Sequence, residues 1–73
     1  MAVVTIDARG LKCPLPVLKI VSVSAKIPKG DLLEVAGDCP TFVDDVRKWC
    51  ERQKKALLAV NMNGSAKVVQ IQF

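Results

Sequence analysis

Hydrophobic residues fall along this chain in short runs whose period switches twice from that of a strand to that of a helix. Val3-Val4-Thr5-Ile6 is β-branched throughout and predicts a first strand ending at Asp7, with Gly10 permitting a turn after it. Pro14 and Pro16 would break a helix interior. In a first turn, where N–H groups have no intrahelical acceptor, they cost little, which starts a helix at Pro14 and puts Cys13 at its N-cap. The stretch from Pro14 to about Ile27 is two-sided, because Val21-Ser22-Val23-Ser24 alternates like a strand while Lys19, Ser22, Lys26 and Lys29 recur at helical spacing. A helix is expected, with Leu18, Val21 and Ala25 as its apolar stripe and Pro28-Lys29-Gly30-Asp31 as its terminator.

Leu32-Leu33-Glu34-Val35-Ala36 predicts a second strand, stopped by Gly37-Asp38. A second helix follows from about Pro40 to Lys54. Phe42, Val46, Trp49 and Cys50 recur at i, i+4, i+7 and i+8, and Asp44, Arg47, Lys48, Glu51 and Arg52 take the other faces. Leu57 to Met62 and Lys67 to Phe73 bracket Asn63-Gly64, a hairpin signal because both residues tolerate positive φ. The order βαβαββ predicts an α/β (α+β) fold, a two-layer sandwich with a mixed four-stranded sheet and two helices on one face, as one domain over residues 1–73. Both helices would then start from the C-terminal ends of parallel strands, at one edge, where Cys13 and Cys39 both lie.

Seventy-three residues, 51% of them hydrophobic, leave no room for a cleft between two domains. No apolar run reaches the roughly eighteen residues of a membrane span, and Met1 to Asp7 has no basic leader, so a soluble, cytoplasmic protein without a membrane partner is expected. The net charge of +4 favours an acidic partner surface or RNA without amounting to a polybasic tail. Histidine is absent, which removes the commonest general base and His-ligated zinc. With Phe42, Trp49 and Phe73 as the only aromatics, no platform for stacking bases can be assembled, so direct nucleic-acid binding is not expected. Cys13, Cys39 and Cys50 show neither disulfide-framework nor C-x-x-C spacing, so neither a metal nor a cofactor is expected.

Asp7-x-Arg9-Gly10-Leu11-x-Cys13-Pro14-x-Pro16-x-Leu18-Lys19, directly after the first strand, resembles the signature of the TusA/SirA/YedF-like family of small sulfur carriers. The likeness continues through Lys29-Gly30-Asp31, Pro40 with Asp45-Val46, Trp49-Cys50 and the apolar final strand. It implies the same βαβαββ sandwich and sulfane sulfur held as a persulfide on Cys13. It also implies a cysteine desulfurase or rhodanese-like donor and a sulfur-accepting protein in tRNA thiolation, cofactor assembly or sulfur oxidation. Two positions depart from the pattern. Cys39 stands where an acidic residue is usual, and Arg52-Gln53-Lys54-Lys55 replaces a frequent glycine.

The chemistry at Cys13 points the same way. A helix N-terminus stabilises a thiolate or persulfide anion, and Arg9, Lys12 and Lys19 add positive charge for stabilisation and docking, while Gly10, Pro14 and Pro16 shape the loop. A thiolate that attacks a donor's persulfide and is attacked in turn needs no general base. Cys39 is a possible second thiol, able to bridge to Cys13 if their Cα atoms lie within about 7 Å. Cys50 belongs with the core, the Asp44-Asp45 pair reads as helix-dipole stabilisation, and Asp7 is placed to pair with Arg9. Two other classes compete with the carrier: an RNA-binding module, on fold analogy alone, and a thiol redox switch using Cys13 and Cys39.

Overall fold

The computed structural model describes residues 2–73. Strand β1 spans Val3–Asp7, helix α1 Leu15–Ser24, β2 Leu32–Gly37, helix α2 Phe42–Gln53, β3 Ala56–Asn63 and β4 Ala66–Gln72. The expected order therefore holds, and the sheet runs β1-β2-β4-β3, with β1 parallel to β2 and the remaining pairs antiparallel. Among the described residues no helix is long and apolar enough to cross a membrane.

Register explains why one face of the sheet holds both helices. Ile6 lies opposite Val35, Val35 opposite Val69, and Leu33 opposite Ile71, so these side chains point to the same side. They form a single buried cluster with Ile20 of α1 and with Phe42, Val46, Trp49 and Cys50 of α2. The stripe read from α2 is thus its buried face, and burial pushes the Cys50 thiol's pKa up. The opposite face stays open. There Glu34 faces Gln70, whose amide donates to the Glu34 carboxylate at 3.1 Å.

Helix α1 departs from its expected stripe. Its buried residues are Pro16 and Ile20, while Leu18 is 55% and Val21 46% exposed and Ala25 is exposed as well. Leu18, Val21 and Ala25 do share a face, but the helix is apolar nearly all round, so periodicity alone does not identify which side meets the sheet. The helix also ends at Ser24 rather than near Ile27. Ser22 and Ser24 hydroxyls donate to the carbonyls of Lys19 and Val21 three residues back, and Lys26 and Ile27 N–H groups close tight turns on Val23 and Ser24. Ile27 then folds into the core.

Two turns differ from expectation by a residue or take an unexpected conformation. Asn63 pairs with Ala66 in the ladder, so the hairpin loop is Gly64-Ser65, with Gly64 at φ 65°, rather than Asn63-Gly64. The link after α2 turns through Lys54 itself, which adopts the left-handed conformation (φ 56°) that a glycine commonly supplies. Strand β3 lies at the sheet's edge, carries a register shift between Leu57 and Ala59, and exposes Leu58, Val60 and Met62. At the other end of the helices, Phe73 closes the core edge against Trp49, ring centroids 6.1 Å apart, with the Lys55 ammonium 4.7 Å above its ring.

Candidate functional site

Because β1 and β2 are parallel neighbours, the loops leaving their C-terminal ends emerge side by side. The parallel ladder continues one step further through the Ala8 N–H, which donates to the Ala36 carbonyl at 2.7 Å. Gly10 then turns the chain at φ 83°, and its N–H donates to the Asp38 carboxylate at 3.0 and 3.2 Å. That contact fastens the first loop to the second, and the two thiols follow. Cys13 and Cys39 are joined as a disulfide with Cα atoms 5.9 Å apart, inside the limit anticipated for a bridge. Cys39 packs against the core cluster, whereas Cys13 is half-buried outside it.

The cap position is corrected by one residue. Helix α1 begins at Leu15 with Pro14 as N-cap, so Cys13 immediately precedes the cap and makes no capping hydrogen bond. The donors expected from this helix end are also scarce. Pro14 and Pro16 carry no N–H, and the Leu15 N–H donates to the Lys12 carbonyl at 2.7 Å. A hydroxyl takes their place: Thr41 Oγ1 lies 3.0 Å from Cys13 Sγ and 3.0 Å from the Asp45 carboxylate. One hydroxyl proton serves one acceptor at a time, so it is available to whichever of the two carries the greater negative charge.

Thr41, Asp45 and Asp38 are the site residues that sequence reasoning missed. Thr41 is the N-cap of α2, a common place for threonine, but its side chain does not cap the helix. Asp45 lies in the first turn, as the helix-dipole reading has it, and also faces both sulfurs. The Sγ atoms of Cys13 and Cys39 and an Asp45 oxygen lie within 4.8 Å of one another. When the thiols are reduced, this set offers three of the four ligands of a tetrahedral zinc. As a disulfide it does not.

The expected basic cluster is only partly assembled around the thiol. Arg9 forms a two-pronged pair with Asp7, Nε and Nη2 each 2.9 Å from a carboxylate oxygen, and its N–H adds a third bond at 3.0 Å. The Lys19 ammonium donates to the Asp7 carbonyl at 2.9 Å. Both cations therefore anchor the end of β1, as the anticipated Asp7–Arg9 pair requires, and Lys12 is the exposed cation beside Cys13.

These bonds from Arg9, side chain first and then backbone, hold the Asp7 carboxyl well below the usual carboxylate range. A depressed folded value means stability that is present above the unfolded carboxylate value and lost as pH falls through the folded one. Asp7→Asn should therefore lose less stability than wild type between about pH 5 and pH 2. Parallel urea titrations check this, and identical acid limbs would show that the pair is energetically idle.

The bridge itself has a larger expected effect. It closes a sequence separation of 26 residues, for which restricting the unfolded chain contributes about 3.5 kcal/mol. In a domain of this size, reduction should lower the melting temperature by on the order of 15 °C. Thermal unfolding with and without a dithiol measures the shift, and Cys39→Ala should be insensitive to the reductant.

The family model described as sulfurtransferase TusA matches residues 4–72. An Aquifex aeolicus protein named "Putative sulfur carrier protein" is 31% identical over 68 residues, 93% of this chain and 34% of that protein. Two Neisseria meningitidis proteins similarly named, from serogroups A and B, are each 35% identical over 54 residues, 74% of this chain and 73% of theirs. The chain thus spans about a third of the Aquifex relative and about three quarters of the Neisseria ones. A match that runs from β1 to the end of β4, with the Cys13 loop inside it, decides the membership: this chain belongs to the sulfurtransferase TusA family.

Proposed function

We propose that the protein is a cytoplasmic sulfur carrier that holds sulfane sulfur as a persulfide on Cys13. It takes the sulfur from a cysteine desulfurase or rhodanese-like donor and passes it to an acceptor protein serving tRNA thiolation, cofactor sulfuration or sulfur oxidation. The observation that supports this reading most is the position of Cys13: its sulfur is half-buried, lies on a loop in front of α1, and is in bonding reach of a second sulfur. Sulfur transfer is thiolate attack on a sulfur atom, and a sulfur already seated for such an exchange has the geometry that the relay repeats with each partner.

Beside Cys13, Leu15, Leu18 and Val21 expose an apolar face of α1, and Lys12 adds a charge. A small apolar patch with a cationic rim suits a brief encounter with an acidic partner, in which charge governs the rate of meeting more than the final affinity. Arg9, Gly10 and Lys19 serve the carrier by fixing the loop rather than by touching cargo.

Incubation of the reduced protein with a desulfurase and cysteine, followed by mass spectrometry of peptides, tests the proposal. A gain of one sulfur atom on the Cys13 peptide, removed by dithiothreitol, is the expected result. A protein that stays unmodified under conditions where the desulfurase turns over is not a carrier for that class of donor.

A further inference from the structure

The second thiol gives this carrier a chemistry that a single-cysteine carrier lacks. We propose that Cys39 resolves the Cys13 persulfide, expelling the cargo as hydrosulfide, and that the resulting disulfide takes up hydrosulfide to regenerate the Cys13 persulfide. The inference rests on the persulfide reading for its cargo, but its reverse direction stands on the disulfide alone.

In the forward step the Cys39 sulfur attacks Cys13 Sγ. A bond forms between the two cysteine sulfurs, the bond from Cys13 Sγ to the outer sulfur breaks, and the outer sulfur leaves as HS⁻ carrying the proton of the Cys39 thiol. The two cysteine sulfurs are oxidised to a disulfide and the sulfane sulfur is reduced to sulfide, so no other reactant is needed. In the reverse step HS⁻ attacks Cys13 Sγ and Cys39 departs as the thiolate. A dithiol reductant returns the oxidised protein to the form that accepts sulfur from a donor protein.

Three features favour this exchange. The backbone holds the two Cα atoms 5.9 Å apart, so the attack is intramolecular and requires no change of loop path. The Gly10 N–H bond to Asp38 keeps the loops together when the sulfurs are not bonded. The third feature is charge. A persulfide anion on Cys13 lies beside the Asp45 carboxylate, whose oxygen is within 4.8 Å of both cysteine sulfurs, and release of HS⁻ exports one of the two negative charges from that cluster. The direction of reloading also follows. Cys39 packs against the core and Cys13 does not, so a small anion from solvent meets Cys13 Sγ first, and Thr41 Oγ1, 3.0 Å from that sulfur, has a proton to donate to the Cys13 persulfide that forms there.

The reverse arm uses wild-type protein with its disulfide intact and sodium sulfide as the probe. Peptide mass spectrometry after alkylation should find one added sulfur on Cys13 and a free thiol on Cys39. An unreacted disulfide under excess sulfide, or the sulfur on Cys39, would overturn the proposal. The forward arm loads reduced wild type and Cys39→Ser from a desulfurase, removes the donor, and follows sulfide with a fluorogenic probe. Wild type should release sulfide with a half-time independent of its own concentration, and Cys39→Ser at least about tenfold more slowly. Equal release from two well-loaded proteins sinks the resolving role and leaves the carrier reading intact. If neither protein loads from the donor, the carrier reading fails, and the wild-type reaction with sulfide alone then decides the inference.

Discussion

Replacing Cys13 by serine will abolish sulfur loading from the donor altogether, because no hydroxyl at that position can hold a sulfane sulfur and the other thiols are ill placed to substitute. Cys50 is 2% exposed and its thiol is held protonated by burial. Cys39 packs against the core behind Cys13. The variant should keep its fold under reducing conditions, since Cys13 makes no helix-capping bond that serine would have to reproduce. Under oxidising conditions it should be less stable than wild type by the contribution of the missing bridge, about 3.5 kcal/mol, and melt correspondingly lower. The comparison therefore belongs in dithiol-treated protein, with circular dichroism to establish the fold and mass spectrometry to read the loading. A serine variant that loads at the wild-type rate would remove Cys13 from the chemistry.

Phe42→Ala should cost about 4 kcal/mol, a large part of the roughly 4 to 11 kcal/mol typical of a domain this long. Phe42 is 1% exposed and stands at the first position of α2, where it sets the helix against the sheet. Its seat is Gly37, the last residue of β2: a Cβ built there would come within 2.7 Å of the ring. Gly37→Ala alone should consequently destabilise by about 1 to 3 kcal/mol, through overpacking. In the Phe42→Ala background the same alanine should be tolerated, because the ring it would strike is gone. Equilibrium denaturation of the four proteins gives the coupling, and strictly additive changes would show that the ring and the glycine do not meet. Displacing α2 also moves Thr41 and Asp45 away from the sulfurs, so Gly37→Ala should slow disulfide formation between Cys13 and Cys39.

The fold was legible where pattern and burial coincide. In α2 one face is apolar and the rest charged, so the spacing of Phe42, Val46, Trp49 and Cys50 identified the side that meets the sheet. In α1 apolar residues occur on every side, and which of them is buried depends on how the helix crosses the strands, a property of the assembled layers rather than of the local sequence. The same distinction governs the site. Cys13 was legible from its motif, and Cys39 from its place after a strand expected to be parallel to the first. Thr41 and Asp45 were not, because each has a sufficient local reason to be where it is, at a helix cap and in a first turn. The Thr41 contact with the Cys13 sulfur, and the nearness of Asp45 to it, arise only when two loops 26 residues apart are laid side by side. The Arg9 pair with Asp7, two residues away, was legible, whereas Lys19 looks like a free charge in a sequence and its capture by the end of β1 is likewise a tertiary fact.

The edge strand β3 makes solubility a matter of charge placement. Ala56–Asn63 has no charged residue, leaves one side of its backbone unpaired, and turns Leu58, Val60 and Met62 outward, a combination that invites strand-to-strand aggregation. Lys54 and Lys55 stand at its entrance and Lys67 lies across from Met62, so copies approaching edge to edge bring like charges together at both ends of the strand. The register shift at Leu57 and Ala59 spoils the regular spacing that a second strand would need. Three lysines and one irregularity are thus the features that oppose edge-to-edge pairing, and high salt, by screening the lysines, leaves only the irregularity to keep the edges apart.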